Sequence, residues 1–91
     1  MDQQKPYHKN PDVVSTELED GAILLNLNTK YYYNLNETGL SIWRALDETG
    51  YSEEIVPMLM KEYDTDKNLA SFCTNKLLDN LEKEGLIFKN K

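Results

Sequence analysis

Leu24-Leu25-Asn26-Leu27-Asn28-Thr29-Lys30-Tyr31-Tyr32-Tyr33-Asn34-Leu35-Asn36-Glu37-Thr38-Gly39 decides how this chain is read. It contains an apolar strand, a polar turn at Asn28-Thr29-Lys30, a tyrosine-rich strand and the start of a helix. Asn36 is a good N-cap, and Glu37 puts negative charge in the first turn, where the helix dipole favours it. Upstream, Val13 to Glu17 is a short β-branched run, and Asp20-Gly21 is a hairpin signal whose central positions want positive φ. With Ala22 to Leu27 and Tyr31 to Leu35, the expectation is a three-stranded antiparallel meander whose first and third strands are edges.

Three helices are expected after it. Leu40, Ile42, Trp43 and Leu46 mark the buried side of the first, with Gly50 ending it. Ser52 is the expected cap of the second, which turns Ile55, Val56, Leu59, Met60 and Tyr63 inward. Pro57 is awkward there, because it removes a backbone donor, and is tolerable only near the helix start. Thr65 or Asp66 caps the third, which runs to about Glu84. Ala70, Thr74, Leu77, Leu78 and Leu81 form one stripe at helical spacing, Gly85 caps the end, and Leu86-Ile87-Phe88 packs as a short apolar tail. The fold class is α+β, strands then helices.

The 91 residues suit one domain with a modest core. Residues 1–11 are polar and aperiodic and are expected to be a flexible arm, leaving 12–91 as the folded domain. Sixteen acids against ten bases give a net charge of −6 and a pI near 4.6. That balance disfavours nucleic acid, whose binding needs Lys and Arg on phosphates, and anionic membranes; it suits solubility or a basic partner. One cysteine excludes an internal disulfide. There is no apolar N-terminal stretch of the kind a signal peptide needs and no run near the ~20 residues of a membrane span. A cytoplasmic setting is the simplest expectation.

Chemistry has little to stand on. His8 is alone, in the expected arm. Cys73 lacks the basic or helix-N-terminal surroundings of a reactive thiolate, and one Cys with one His does not make a zinc site. The pairs Glu17/Glu19, Glu53/Glu54 and Glu82/Glu84 fit solvated faces. No cofactor, metal or catalytic residue is expected.

The tyrosine strand is the exception. Tyr31, Tyr33 and Leu35 point to one face, Tyr32 and Asn34 to the other. Tyrosines favour half-buried strands in any case, but an edge strand also offers unpaired N–H and C=O groups to an added peptide strand. The third helix adds an apolar shoulder, Leu69, Phe72 and Cys73, beside Lys76 and Asn80. Such a shoulder either packs on the second helix or walls a groove beside the strand.

The runs "GAILLNLNTKYYYNLNETGLSIWRAL", "SEEIVPMLMKEYDTD" and "NKLLDNLEKEGLI" resemble the PqqD-like family over about residues 12 to 88. The resemblance implies a winged-helix-like fold of three strands and three helices. It implies a recognition element that binds the leader of a ribosomally made precursor peptide and presents it to a modifying enzyme. The leader would add beside the third strand against the third helix. Tyr31, Tyr32, Tyr33, Asn34 and Leu35, with Leu69, Phe72, Cys73, Lys76, Leu77 and Asn80, would then bind peptide. The "TKYYYNLNETG" hairpin and Trp43 look like the stand-alone leader-binding proteins of lasso-peptide clusters more than the pyrroloquinoline quinone branch. The enzyme partner would be a leader peptidase or, in other clusters, a radical SAM enzyme. Cys73-Thr74 stands where many relatives have Asp-Val. The rival readings are an accessory subunit of a larger enzyme and a winged-helix DNA binder. Against the latter, residues 66–84 hold only Lys67, Lys76 and Lys83 beside four acids. Monomer and strand-exchanged dimer both stay open.

Overall fold

The computed structural model describes residues 6–89. Its elements are β1 (Tyr7–Lys9), β2 (Val13–Leu18), β3 (Gly21–Asn26), β4 (Tyr32–Leu35), α1 (Glu37–Ala45), α2 (Ser52–Tyr63), α3 (Lys67–Lys83) and β5 (Ile87–Lys89). Strands β2, β3 and β4 form the antiparallel meander, in that order. The register pairs Val14 with Leu25 and Leu25 with Tyr32, and pairs Ala22 with Leu35. Alternation along the strands then turns Ala22, Leu24 and Leu35 inward, where they are buried.

The first hairpin differs from expectation. Its connecting residues are Glu19 and Asp20, neither at positive φ, and Gly21 already pairs with Leu18 as the first residue of β3. Glycine is required there by proximity: a Cβ on Gly21 would run into the Leu35 carbonyl oxygen. The second hairpin closes through Lys30, at φ 68, whose N–H donates to the Asn26 carbonyl while the Asn26 N–H donates to Tyr31. Two residues thus oppose one, a β-bulge that keeps Tyr31 out of β4 proper.

Asn36 caps α1, its side chain accepting from the Gly39 N–H at 2.8 Å. The helix ends at Ala45, earlier than Gly50. Helix α2 starts at Ser52 with Tyr51 as its N-cap, so Ser52 is the first helical residue and not the cap; the Tyr51 N–H donates to Thr49 Oγ1 at 3.2 Å. Pro57 lies inside α2, where its missing N–H leaves the Glu53 carbonyl without a helical donor. Asp66 caps α3 by accepting from the Leu69 N–H at 2.8 Å. Gly85, at φ 74, turns the chain out of α3.

The expected flexible arm is corrected by a second, two-stranded sheet. β1 pairs antiparallel with β5, Tyr7 opposite Lys89 and Lys9 opposite Ile87. His8 therefore sits on a strand, its ring 5.5 Å from that of Phe88. Asn10, buried, reinforces the clasp: its N–H donates to the Leu86 carbonyl at 3.0 Å and its side-chain amide to the Gly85 carbonyl at 2.9 Å. The remaining part of the arm, residues 1–5, lies outside the described residues. The Leu86-Ile87-Phe88 tail becomes β5, with Leu86 and Ile87 buried.

The core joins the inner sheet face to all three helices through Leu24, Ile42, Ile55, Leu78 and Leu81, all essentially inaccessible. Trp43 is buried with the Lys9 ammonium 4.3 Å from its ring centroid, and Lys9 also pairs with Asp47 at 2.9 Å. On the surface Arg44 of α1 bonds Glu17 of β2. This hydrogen bond holds the Glu17 carboxyl below the usual carboxylate range and raises Arg44. Since the folded value is depressed, the pair contributes above the unfolded carboxylate pKa and is lost as pH falls through the lowered value; being exposed, it is screened by salt.

Thr74 is fully buried in the α3 stripe, and its hydroxyl oxygen has no hydrogen-bond partner. An unsatisfied buried hydroxyl costs about 1–3 kcal/mol, and a shape-matched apolar group removes that cost. Thr74→Val is therefore expected to raise stability by about 1 kcal/mol, read as a higher urea midpoint at unchanged slope.

Candidate functional site

Among the described residues, strand β4 is bonded on one side only. Because Asn26 bonds Tyr31 across the β3–β4 ladder, alternation makes Tyr33 and Leu35 the residues that bond to β3. The N–H and C=O groups of Tyr32 and Asn34 then face the open edge. Within the described residues no strand pairs there.

Beside that edge lies a groove of about 560 Å³ between β4, the start of α1 and the middle of α3. Tyr33, Asn34 and Leu35 border it from the strand, and Phe72, Cys73, Lys76, Leu77 and Asn80 from α3. Asn36, Thr38, Gly39 and Ile42 complete it from the cap and first turns of α1. Its character is apolar with amide and hydroxyl groups interspersed, and Lys76 is the one charged residue among those lining it. The Lys76 ammonium lies 5.7 Å from the Phe72 ring centroid, so cation and aromatic face share one wall.

Eight of the eleven residues singled out from sequence come together here: Tyr33, Asn34, Leu35, Phe72, Cys73, Lys76, Leu77 and Asn80. Three do not line the groove. Tyr31 sits in the bulge, Tyr32 is 72% exposed, and Leu69 is exposed one turn before Cys73. Tyr32 still contributes its backbone to the open edge. The α3 shoulder was expected either to wall a groove or to pack on α2; Phe72, 62% exposed, and Cys73 line the groove.

The α1 contribution was missed. Asn36 caps α1 as its sequence position implies, but the sequence does not disclose that the capped turn forms one end of the groove. Gly39 allows the close packing there, since a Cβ would already meet Asn36 Oδ1 and Leu35 Cδ2 at 3.2 Å. Among the described residues there is no cluster of three or more His, Cys, Asp or Glu suited to a metal ion, and no helix is long and apolar enough to cross a membrane. A backbone edge beside an apolar trough with one cation is equipped to hold an extended peptide.

The family model for coenzyme PQQ synthesis protein D, PqqD, matches residues 21–87. Among solved structures, the chain is similar to TbiB1 in complex with the TbiA(β) leader peptide, with 31% identity and a TM-score of 0.80, covering 88% of this chain and 93% of that one. It is also similar to a lasso peptide synthetase B1 complexed with the leader peptide, with 23% identity and a TM-score of 0.76, covering 91% and 98%. This second likeness bears on the fold. No curated protein matches the sequence.

Removing the cap that forms the end of the groove has a defined cost. Asn36→Ala is expected to destabilise by about 1 kcal/mol, whereas Asn36→Asp, which keeps the acceptor, stays within a few tenths of wild type; thermal denaturation of both variants reads the difference.

Proposed function

The chain belongs to the PqqD family, and we propose that it binds the leader segment of a ribosomally synthesised precursor peptide as an added strand on β4. It is a non-catalytic chaperone that holds the leader for a modifying enzyme or leader peptidase. The observation that carries this reading is the coincidence of an unpaired strand edge with an apolar groove at its side. The similarity to TbiB1, whose structure contains a leader peptide, supports it.

Added strands take affinity from main-chain hydrogen bonds and specificity from alternate side chains. In this chain the outward groups of Tyr32 and Asn34 offer two donors and two acceptors. Leader side chains opposite Tyr33 and Leu35 descend toward Leu77, Ile42 and Cys73, where an apolar or aromatic group loses water. Phe72 flanks that trough, and Lys76 meets a leader carboxylate. The cation matters because it stands in a groove without acids on a protein of net charge −6. The setting is the cytoplasm, and the product class is of the lasso-peptide kind.

Fluorescence anisotropy with the labelled leader of a neighbouring precursor gene tests the reading. Wild type binds that leader and not its scrambled form. Phe72→Ala is expected to weaken binding at least tenfold, about 1.4 kcal/mol, with an unchanged melting temperature because Phe72 is mostly exposed. Equal affinity for leader and scramble, or an unaffected Phe72→Ala, contradicts it.

A further inference from the structure

The sheet has a second open edge. Within the described residues no strand pairs with the outer side of β2. Because Asn26 bonds toward β4, its neighbour Leu25 bonds toward β2, and the register sets Leu25 opposite Val14. Val14, Thr16 and Leu18 therefore bond to β3, and the N–H and C=O groups of Ser15 and Glu17 face outward. Edge strands are usually guarded by lysine, proline or a bulge. β2, Val-Val-Ser-Thr-Glu-Leu, has none of these and pairs with β3 without interruption along its whole length. All of its residues but Val13 are exposed. Its one charge, Glu17, is already bonded to Arg44.

The strand is also symmetric in its chemistry about Thr16. Apolar Val14 and Leu18 stand two residues away on either side, with polar Ser15 and Glu17 between. We propose that β2 pairs antiparallel with β2 of a second copy, about a two-fold axis through Thr16 and normal to the sheet. Ser15 of one copy then exchanges both main-chain bonds with Glu17 of the other, which uses every outward group of the two residues. Val14 of one copy packs against Leu18 of the other, and the two Thr16 hydroxyls meet at the axis. Neighbouring registers fail. A slip of one residue turns opposed side chains to opposite faces. Centring on Ser15 sets Val14 against Thr16 and calls on the Val13 N–H, which already donates to the Asn10 carbonyl at 3.1 Å. No strand is exchanged in this pairing. It makes one continuous sheet with a β4 at each end, roughly 24 Å apart at about 4.8 Å per strand spacing. Both β4 edges stay free, so on the leader-binding reading a dimer holds two peptides; the pairing itself does not depend on that reading. Two copies at −6 repel, but physiological salt screens charges beyond about 8 Å, while the ladder bonds and the Val14–Leu18 contacts act at short range.

Sedimentation velocity of the full chain over a concentration series, at physiological salt and without ligand, tests the pairing. A monomer–dimer equilibrium is expected, and residue-resolved amide exchange is expected to slow at Ser15 and Glu17 as the dimer forms. Ser15→Pro deletes an N–H that no group among the described residues accepts, and proline is admitted on an edge strand where the N–H points out. It is expected to weaken dimerisation by about tenfold or more. Thr16→Lys, which sets two cations against each other at the axis, has the same effect if Ser15→Pro folds poorly. A chain that is monomeric throughout, or a dimer that both variants leave intact, overturns the β2 interface. So does protection that appears at Tyr32 and Asn34 instead, or a dimer that the neighbouring leader peptide dissolves, since either places the contact at β4.

Discussion

Four residues, Tyr32–Leu35, are hydrogen-bonded along one side and open along the other. Unpaired strand edges are a hazard that proteins usually cover, shorten or charge. β4 is short, but it carries no charge, and among the described residues no strand covers its edge. Its open amides and carbonyls lie beside an apolar trough, so a peptide that pairs with the strand also buries side chains against α3. Backbone pairing alone is indifferent to sequence; on the proposed reading the trough supplies the selection.

The trough stays open because its walls are fixed by other contacts. Asn36 and Gly39 lock the first turn of α1 against the end of β4. α3 is held by its Asp66 cap and by Leu78 and Leu81 in the core. Its far end is tied down by the β1–β5 clasp and by Asn10. None of these contacts consumes Phe72, Lys76 or the open edge of β4. The core carries the stability, and among the described residues it leaves the groove and the β4 edge open.

Most of this was legible in the residues. The meander and the three helices follow from alternation, helical spacing and caps, and β4 and α3 emerge as the elements with unused apolar surface. The failures have physical causes. Tyr7-His8-Lys9 is too short and polar to register as a strand, and its partner is about eighty residues away, so its order comes from tertiary pairing. The hairpin shifted because Gly21 is required by the nearby Leu35 carbonyl, a constraint no local turn rule contains. The α1 end of the groove was invisible because Thr38, Gly39 and Ile42 read as ordinary helix; only the approach of α3 makes them a wall. Tyr31 and Leu69 fit the sequence pattern but do not line the groove, Tyr31 because of the bulge at Lys30 and Leu69 because of its position on the helix.

Amide hydrogen exchange, resolved by residue, tests the central claim most directly. In the free chain the N–H groups of Tyr32 and Asn34 face the open edge and exchange fast, while those of Tyr33 and Leu35 are already bonded to β3. Saturating leader peptide is predicted to slow Tyr32 and Asn34 strongly and to change Tyr33 and Leu35 little. Leader binding that leaves Tyr32 and Asn34 fast, with protection appearing elsewhere, would contradict strand addition at β4.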